Sequence, residues 1–170
     1  TIWLSYDRNA ELNEWVGDWK VESSYNANGK LTTWAEYRWN SELNEWVVYR
    51  KEEYSYDANG NQTLMVHYNW DSELNEWVGE YKRESSYDAN GNETIWLSYD
   101  WNAGLNEWVG DWGVESSYDA NGNLTTLAEL RWNSGLNEWV GDWKGESSYN
   151  ANGKLTTLAT YRWNSELNEW

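Results

Sequence analysis

Asp57, Asn59 and Asn61 place three side-chain oxygens at alternate positions, and the pattern returns at Asp88-Asn90-Asn92 and Asp119-Asn121-Asn123. Carboxylate and amide oxygens are what a hard cation such as calcium takes, so Asp57, Asn59 and Asn61 are candidate ligands. The bidentate Glu that such a loop carries further on is missing. The competing role is local: Asp and Asn side chains cap backbone amides in tight turns. Corresponding turns carry Asn26 and Asn150 in place of the Asp, and Lys30 and Lys154 in place of the last Asn. Those changes remove an anion and add a cation, so the turn role is preferred and calcium is the one cofactor kept in view.

His67 is the single histidine. No serine–histidine–carboxylate set recurs around it, and it reads as a surface variant opposite Lys51. Glu52-Glu53 offers paired carboxylates for acid–base work, but nothing sets two of them across a cleft, and no catalysis is expected. Asn-x-Thr triplets at 61–63, 92–94 and 123–125 match the glycosylation acceptor, yet they fall in or beside tight turns. A column of apolar residues, Trp3, Trp34, Met65, Trp96, Leu127 and Leu158, interrupts an otherwise polar strand face. Rings there stack on sugars or on another chain, which makes Trp3, Trp34 and Trp96 the candidate ligand or partner contacts.

These residues sit in a tandem array. Leu-Asn-Glu-Trp begins at 12, 43, 74, 105, 136 and 167, each interval being 31 residues without insertion. The array divides into a partial unit 1–15 and units 16–46, 47–77, 78–108, 109–139 and 140–170, and reads as a section of a longer one. A unit of this kind buries its apolar surface only against its neighbours. The chain has neither Cys nor Pro, and its net charge is −17. Disulfides and thiolate metal sites are excluded, and the charge disfavours nucleic acid and anionic membranes. No apolar run approaches the roughly 18 residues of a membrane helix.

Alternation of period two runs through Trp15–Tyr25 and Leu31–Trp39, so both are strands. At the turn, Ala27-Asn28 followed by Gly29 as a left-handed bulge residue would pair Asn26 with Lys30. Carried onward, that register sets Tyr25 against Leu31, Val21 against Ala35, Trp19 against Tyr37 and Gly17 against Trp39. The other face then holds Lys20–Glu36 and Asp18–Arg38. A two-residue Asn28-Gly29 loop would instead oppose Trp19 to Arg38 and Lys20 to Tyr37, mixing polar with apolar. In later units the first register opposes Asp142 to Arg162 and Glu80 to Asp100. A four-residue connection, Ser41–Asn44, puts Trp39 opposite Trp46 and leaves Leu43 as a plug over the end of the aromatic face. The predicted fold is all-β: an antiparallel hairpin meander of about eleven strands, rolled or paired about its Trp/Tyr face. The alternative is a β-solenoid, which would stack like-charged Glu columns about 4.8 Å apart.

The turn Tyr56-Asp57-Ala58-Asn59-Gly60-Asn61, repeated at 87–92 and 118–123, resembles the Tyr-Asp-x-x-Gly-Asn element of RHS/YD repeats. It is also similar to repeats of secreted surface proteins from Bacteroidetes-type bacteria. The resemblance implies β-hairpins wound into a strip and an extracellular, cell-surface location. The period, fixed at 31, is longer than that family's. The expected function is an extracellular structural or adhesive protein of a filament, stalk or sheath that associates with neighbouring copies. The alternative is a carbohydrate-binding module with aromatic platforms.

Overall fold

The computed structural model describes residues 1–9 and 13–170; Leu12, the first copy of the loop leucine, lies outside the described residues. The elements are eleven strands: β1 (Ile2–Asn9), β2 (Glu14–Tyr25), β3 (Leu31–Asn40), β4 (Glu45–Tyr56), β5 (Gln62–Asp71), β6 (Glu76–Tyr87), β7 (Glu93–Asn102), β8 (Glu107–Tyr118), β9 (Leu124–Asn133), β10 (Glu138–Tyr149) and β11 (Leu155–Arg162). They form one sheet in chain order, each antiparallel to the next. β1 and β11 are its two edges, so the sheet is an open meander and neither a barrel nor the alternative solenoid.

The Asn-Gly turns have the expected form. Gly29 lies at φ 74°, its N–H donates to the Asn26 carbonyl (3.0 Å), and the Asn26 N–H donates to the Lys30 carbonyl (2.9 Å). Beyond the turn the expected register fails by one residue. Tyr25 does oppose Leu31, but Ser24 opposes Thr33, leaving Thr32 unpaired as a second bulge. The pairs that follow are Glu22–Ala35, Val21–Glu36, Lys20–Tyr37 and Trp19–Arg38. Equivalent slips leave out Thr63, Thr94, Thr125 and Thr156. Thr94 and Thr156 donate their hydroxyls across the slip to the carbonyls of Ser86 and Ser148 (3.2 and 3.0 Å).

An opposite irregularity in the even strands, at Tyr49, Glu80 and Asp142, restores the alignment before the next loop. Trp39 therefore meets Trp46 as expected. The slip is stabilised by what a two-colour sorting of residues overlooks: a lysine is half hydrocarbon, and its ammonium is attracted to a ring face. Asp142 still pairs loosely with Arg162, at 3.7 Å, but diagonally, because Trp143 is the residue opposite that arginine. Glu80 escapes the expected clash, since Tyr81 is the residue opposite Asp100.

The loop leucines are not plugs. Leu43 is 61% exposed, and Leu74, Leu105, Leu136 and Leu167 match it. The Asn40 side chain accepts from the N–H groups of Glu42 and Leu43 (3.0 Å each), and Asn44 closes the loop at φ 56°. That left-handed residue recurs at Asn75, Asn106, Asn137 and Asn168. Indoles stand on both faces of the sheet: on β3, Trp39 pairs with Trp46 on one face and Trp34 stands on the other. The irregularity in β2 between Gly17 and Lys20 turns Trp19 to the face of Trp34. Among the described residues the buried apolar side chains are few: Val21, Val66, Ala128 and Leu130.

Candidate functional site

One face carries a ladder. Trp39–Trp46, Trp70–Trp77, Trp101–Trp108, Trp132–Trp139 and Trp163–Trp170 pack edge to face, with centroids 5.1–5.4 Å apart. A β-carbon on Gly17, Gly79, Gly110 or Gly141 would lie within 3 Å of these indoles; rings from the next two strands cover the first three glycines, and Trp163 and Trp170, which follow β11, cover Gly141. Beside the indoles sit lysines over tyrosine rings: Lys20 over Tyr37 (3.8 Å), Lys51 over Tyr68 (4.6 Å), Lys82 over Tyr99 (4.1 Å) and Lys144 over Tyr161 (4.6 Å). Each ammonium also meets the Glu two residues on: Glu22, Glu53, Glu84 and Glu146. Tyr37, Tyr99 and Tyr161 donate their hydroxyls to Glu22, Glu84 and Glu146 (3.1 Å each). The Lys20 bond holds the Glu22 carboxyl below its ordinary range. Burial, then the adjacent carboxylate, pushes the phenols of Tyr37 and Tyr99 up. The one unit lacking this lysine, at Gly113, also lacks the tyrosine, at Leu130.

Neighbouring hairpins are tied by the turn tyrosines. Tyr56, Tyr87, Tyr118 and Tyr149 donate to the carbonyls of Leu31, Gln62, Glu93 and Leu124 at 2.8–3.1 Å, each 25 residues back. These groups are engaged in cohesion.

The other face holds an open groove of ≈ 510 Å³ between Trp3 on β1, Trp19 and Val21 on β2, and Trp34, Glu36 and Arg38 on β3. The Glu36 side chain is only 7% exposed; Arg38 donates to one of its oxygens (2.5 Å) and Arg50 Nε to the other (2.8 Å). The Arg50 guanidinium lies 5.2 Å above the Trp34 ring. Of the three tryptophans singled out by sequence, the structure brings Trp3 and Trp34 into this groove. Trp96 belongs to a smaller cleft of ≈ 280 Å³ with Arg83, Glu93, Trp112 and Tyr118. There it packs edge to face on Trp112 (4.7 Å) under the Arg83 guanidinium. Trp19, Glu36, Arg38 and Arg50 were not singled out, because the expected register put Trp19 on the opposite side of the sheet.

His67 is not a surface variant: it is 5% exposed and lies opposite Glu52 and Tyr81, not Lys51. Its Nδ1 is 3.3 Å from Glu52, its Nε2 is 3.1 Å from Glu80, and its ring stacks on Tyr81 (5.2 Å, 11°). Tyr54 donates its hydroxyl to Glu52, and burial with that carboxylate raises its pKa. A sequence signal existed. Counting by 31, Arg50, Glu52, Tyr54 and His67 fall where other units have Trp or Tyr, Val, Arg or Gly, Ser, and Ser, Glu or Thr, so several positions depart from the repeat together. The two carboxylates lie at opposite ring nitrogens and share no central point with the imidazole. Among the described residues no group of three His, Cys, Asp or Glu side chains is placed to hold a metal ion.

In the Asp57 turn, Oδ1 accepts from the N–H groups of Asn59 and Asn61 (2.9 Å each), and Oδ2 accepts from Asn61 Nδ2 (3.0 Å). The Asn61 side-chain bond leads in holding the Asp57 carboxyl below its ordinary value. Asp57 and Asn61 are thus engaged with each other and with the turn, as the capping role requires.

No protein-family model and no curated protein matches the sequence. Among solved structures, a protein with unknown function from Bacteroides fragilis NCTC 9343 is similar at a TM-score of 0.52 and 19% identity, over 85% of this chain and 92% of that one. A DUF3836 family protein from Parabacteroides distasonis ATCC 8503 gives 0.43 and 20%, over 54% and 81%. Another from Bacteroides vulgatus ATCC 8482 gives 0.39 and 17%, over 65% and 97%. What the chain shares with the first of these is its fold.

Proposed function

We propose that this chain is a non-catalytic structural or adhesive strip of an extracellular bacterial surface, working within a filament, stalk or sheath beside neighbouring copies. One observation carries this proposal: the cohesion runs from hairpin to hairpin. The tyrosine ties, indole pairs and lysine–tyrosine–glutamate clusters recur at one spacing along the sheet. Such arrays transmit load between nearest neighbours and extend by whole units. The turn resemblance to RHS/YD-type repeats supports the surface location.

The test is negative-stain electron microscopy with sedimentation velocity on the purified chain over a concentration series. Elongated particles with end-to-end or lateral contacts support the proposal. Discrete short monomers at every concentration refute it.

A further inference from the structure

The rings of Trp3 and Trp19 belong neither to the indole ladder nor to the turn-tyrosine ties. We propose that the groove between Trp3, Trp19 and Trp34 is a binding site for neutral pyranose saccharides, stacking their C–H faces on the indoles and bonding their hydroxyls through the Arg38–Glu36–Arg50 cluster.

The first support is an unused ring. Trp3 is 63% exposed. Its counterpart Trp96, in an identical stretch (Thr-Ile-Trp-Leu-Ser-Tyr-Asp at 1–7 and 94–100), is half-buried against Trp112. The same local sequence thus yields a closed ring pair in one place and an open platform in the other. Two features separate them: Trp34 enters the groove from β3, where the unit around Trp96 has Leu127, and Trp96 is covered from β6 by Arg83, whereas β1 is an edge strand.

The second support is size and polarity. About 510 Å³ lies inside the roughly 300–1,000 Å³ of small-molecule sites, which combine apolar walls with a few fixed polar groups. Glu36 is held by two guanidiniums, so its oxygens are fixed in place, and Arg38 stands half in solvent at the groove wall. A hydroxyl both donates and accepts and suits that mixture. A quaternary ammonium, the other guest of aromatic cages, meets two guanidiniums here, one of them already over Trp34. A second protein copy needs roughly 20–30 residues a side for a stable interface, whereas six side chains line this groove. Trp3 and Trp34 stand two strands apart, about 10 Å, so an oligosaccharide lies across the strands.

The test is isothermal calorimetry and tryptophan emission of the full chain with cellohexaose, xylohexaose, mannohexaose and maltohexaose, alongside sedimentation velocity. At least one sugar is expected to bind, and Trp3→Ala and Trp34→Ala each weaken it about tenfold. Trp15→Ala, an exposed indole outside the groove, leaves it unchanged. Circular dichroism checks that the variants fold; Trp3 lies exposed on an edge strand, so its variant keeps the test decisive. The proposal is overturned if no sugar binds in the millimolar range, if the groove variants bind as Trp15→Ala does, or if Trp34→Ala dissolves a self-associated species. Filament assembly is read separately by microscopy, so either proposal can fail alone.

Discussion

The lysine–tyrosine pairs make the slipped register testable through a double-mutant cycle at Lys82 and Tyr99. The Lys82 ammonium lies 4.1 Å from the Tyr99 centroid and 2.7 Å from Glu84, and its side chain is 17% exposed. A cation over a ring contributes about 0.5–1 kcal/mol when exposed and about 2 kcal/mol when desolvated. The Glu84 contact adds about 0–1 kcal/mol. Lys82→Met keeps the stem and removes the charge, so it should destabilise by about 1–2 kcal/mol, or roughly 2–8 °C in a chain of this size. Lys82→Met in a Tyr99→Leu background should cost less by about 0.5–1.5 kcal/mol, because the ring is already gone. Urea unfolding, with native-state hydrogen exchange at the β6 and β7 amides, measures all four corners. A coupling of zero would refute the pairing of Lys82 with Tyr99. Full destabilisation in the Leu background would mean that the lysine acts through Glu84 alone.

The remaining predictions concern the turns and ties. Tyr87→Phe removes the bond to the Gln62 carbonyl and should cost about 0.5–1.5 kcal/mol, seen as faster hydrogen exchange where the β6–β7 hairpin meets its neighbour. Gly91→Val should cost about 1–3 kcal/mol, because φ is 84° there and a β-branched residue is strained at positive φ; an unchanged urea midpoint would argue against the bulge. Asp57, Asp88 and Asp119 are held below their ordinary pKa, first by the amides of Asn61, Asn92 and Asn123. Their contribution is present above the usual carboxylate value, about 3.9, and is lost as pH falls through the lowered one. Asp57→Asn/Asp88→Asn/Asp119→Asn should therefore flatten the acid limb of a stability–pH curve, and an unaltered limb would exclude these turns as its source.

The repeat, the strands, the antiparallel meander and both loop lengths were legible because each rests on a local rule: period-two alternation, Gly at positive φ, and Trp39 paired with Trp46. The register between the loops was not, because it is set by Thr32, whose slip leaves no mark in a hydrophobic pattern. Sorting residues into polar and apolar sent Lys20 to Glu36, when its stem and charge together favour Tyr37. The same error hid the groove: with Trp19 assigned to the far side, only Trp3 and Trp34 remained visible. His67 was misplaced for the same reason, since one residue of slip exchanges Lys51 for Glu52. Leu43 was misjudged because an apolar side chain was assumed to find cover, while the Asn40 cap and left-handed Asn44 set the loop's shape.

The paired irregularities of each hairpin have an arithmetical consequence. An extra threonine on one strand and an extra residue on the next cancel, so every hairpin returns the chain to the same phase. Deleting one residue from a strand turns everything between it and the next loop over, exchanging indole for carboxylate. Lengthening or shortening by whole 31-residue modules disturbs nothing but the count. A gene for such a chain is free to vary in copy number and closed to small frame-preserving edits, which is the pattern of an array without a single gap.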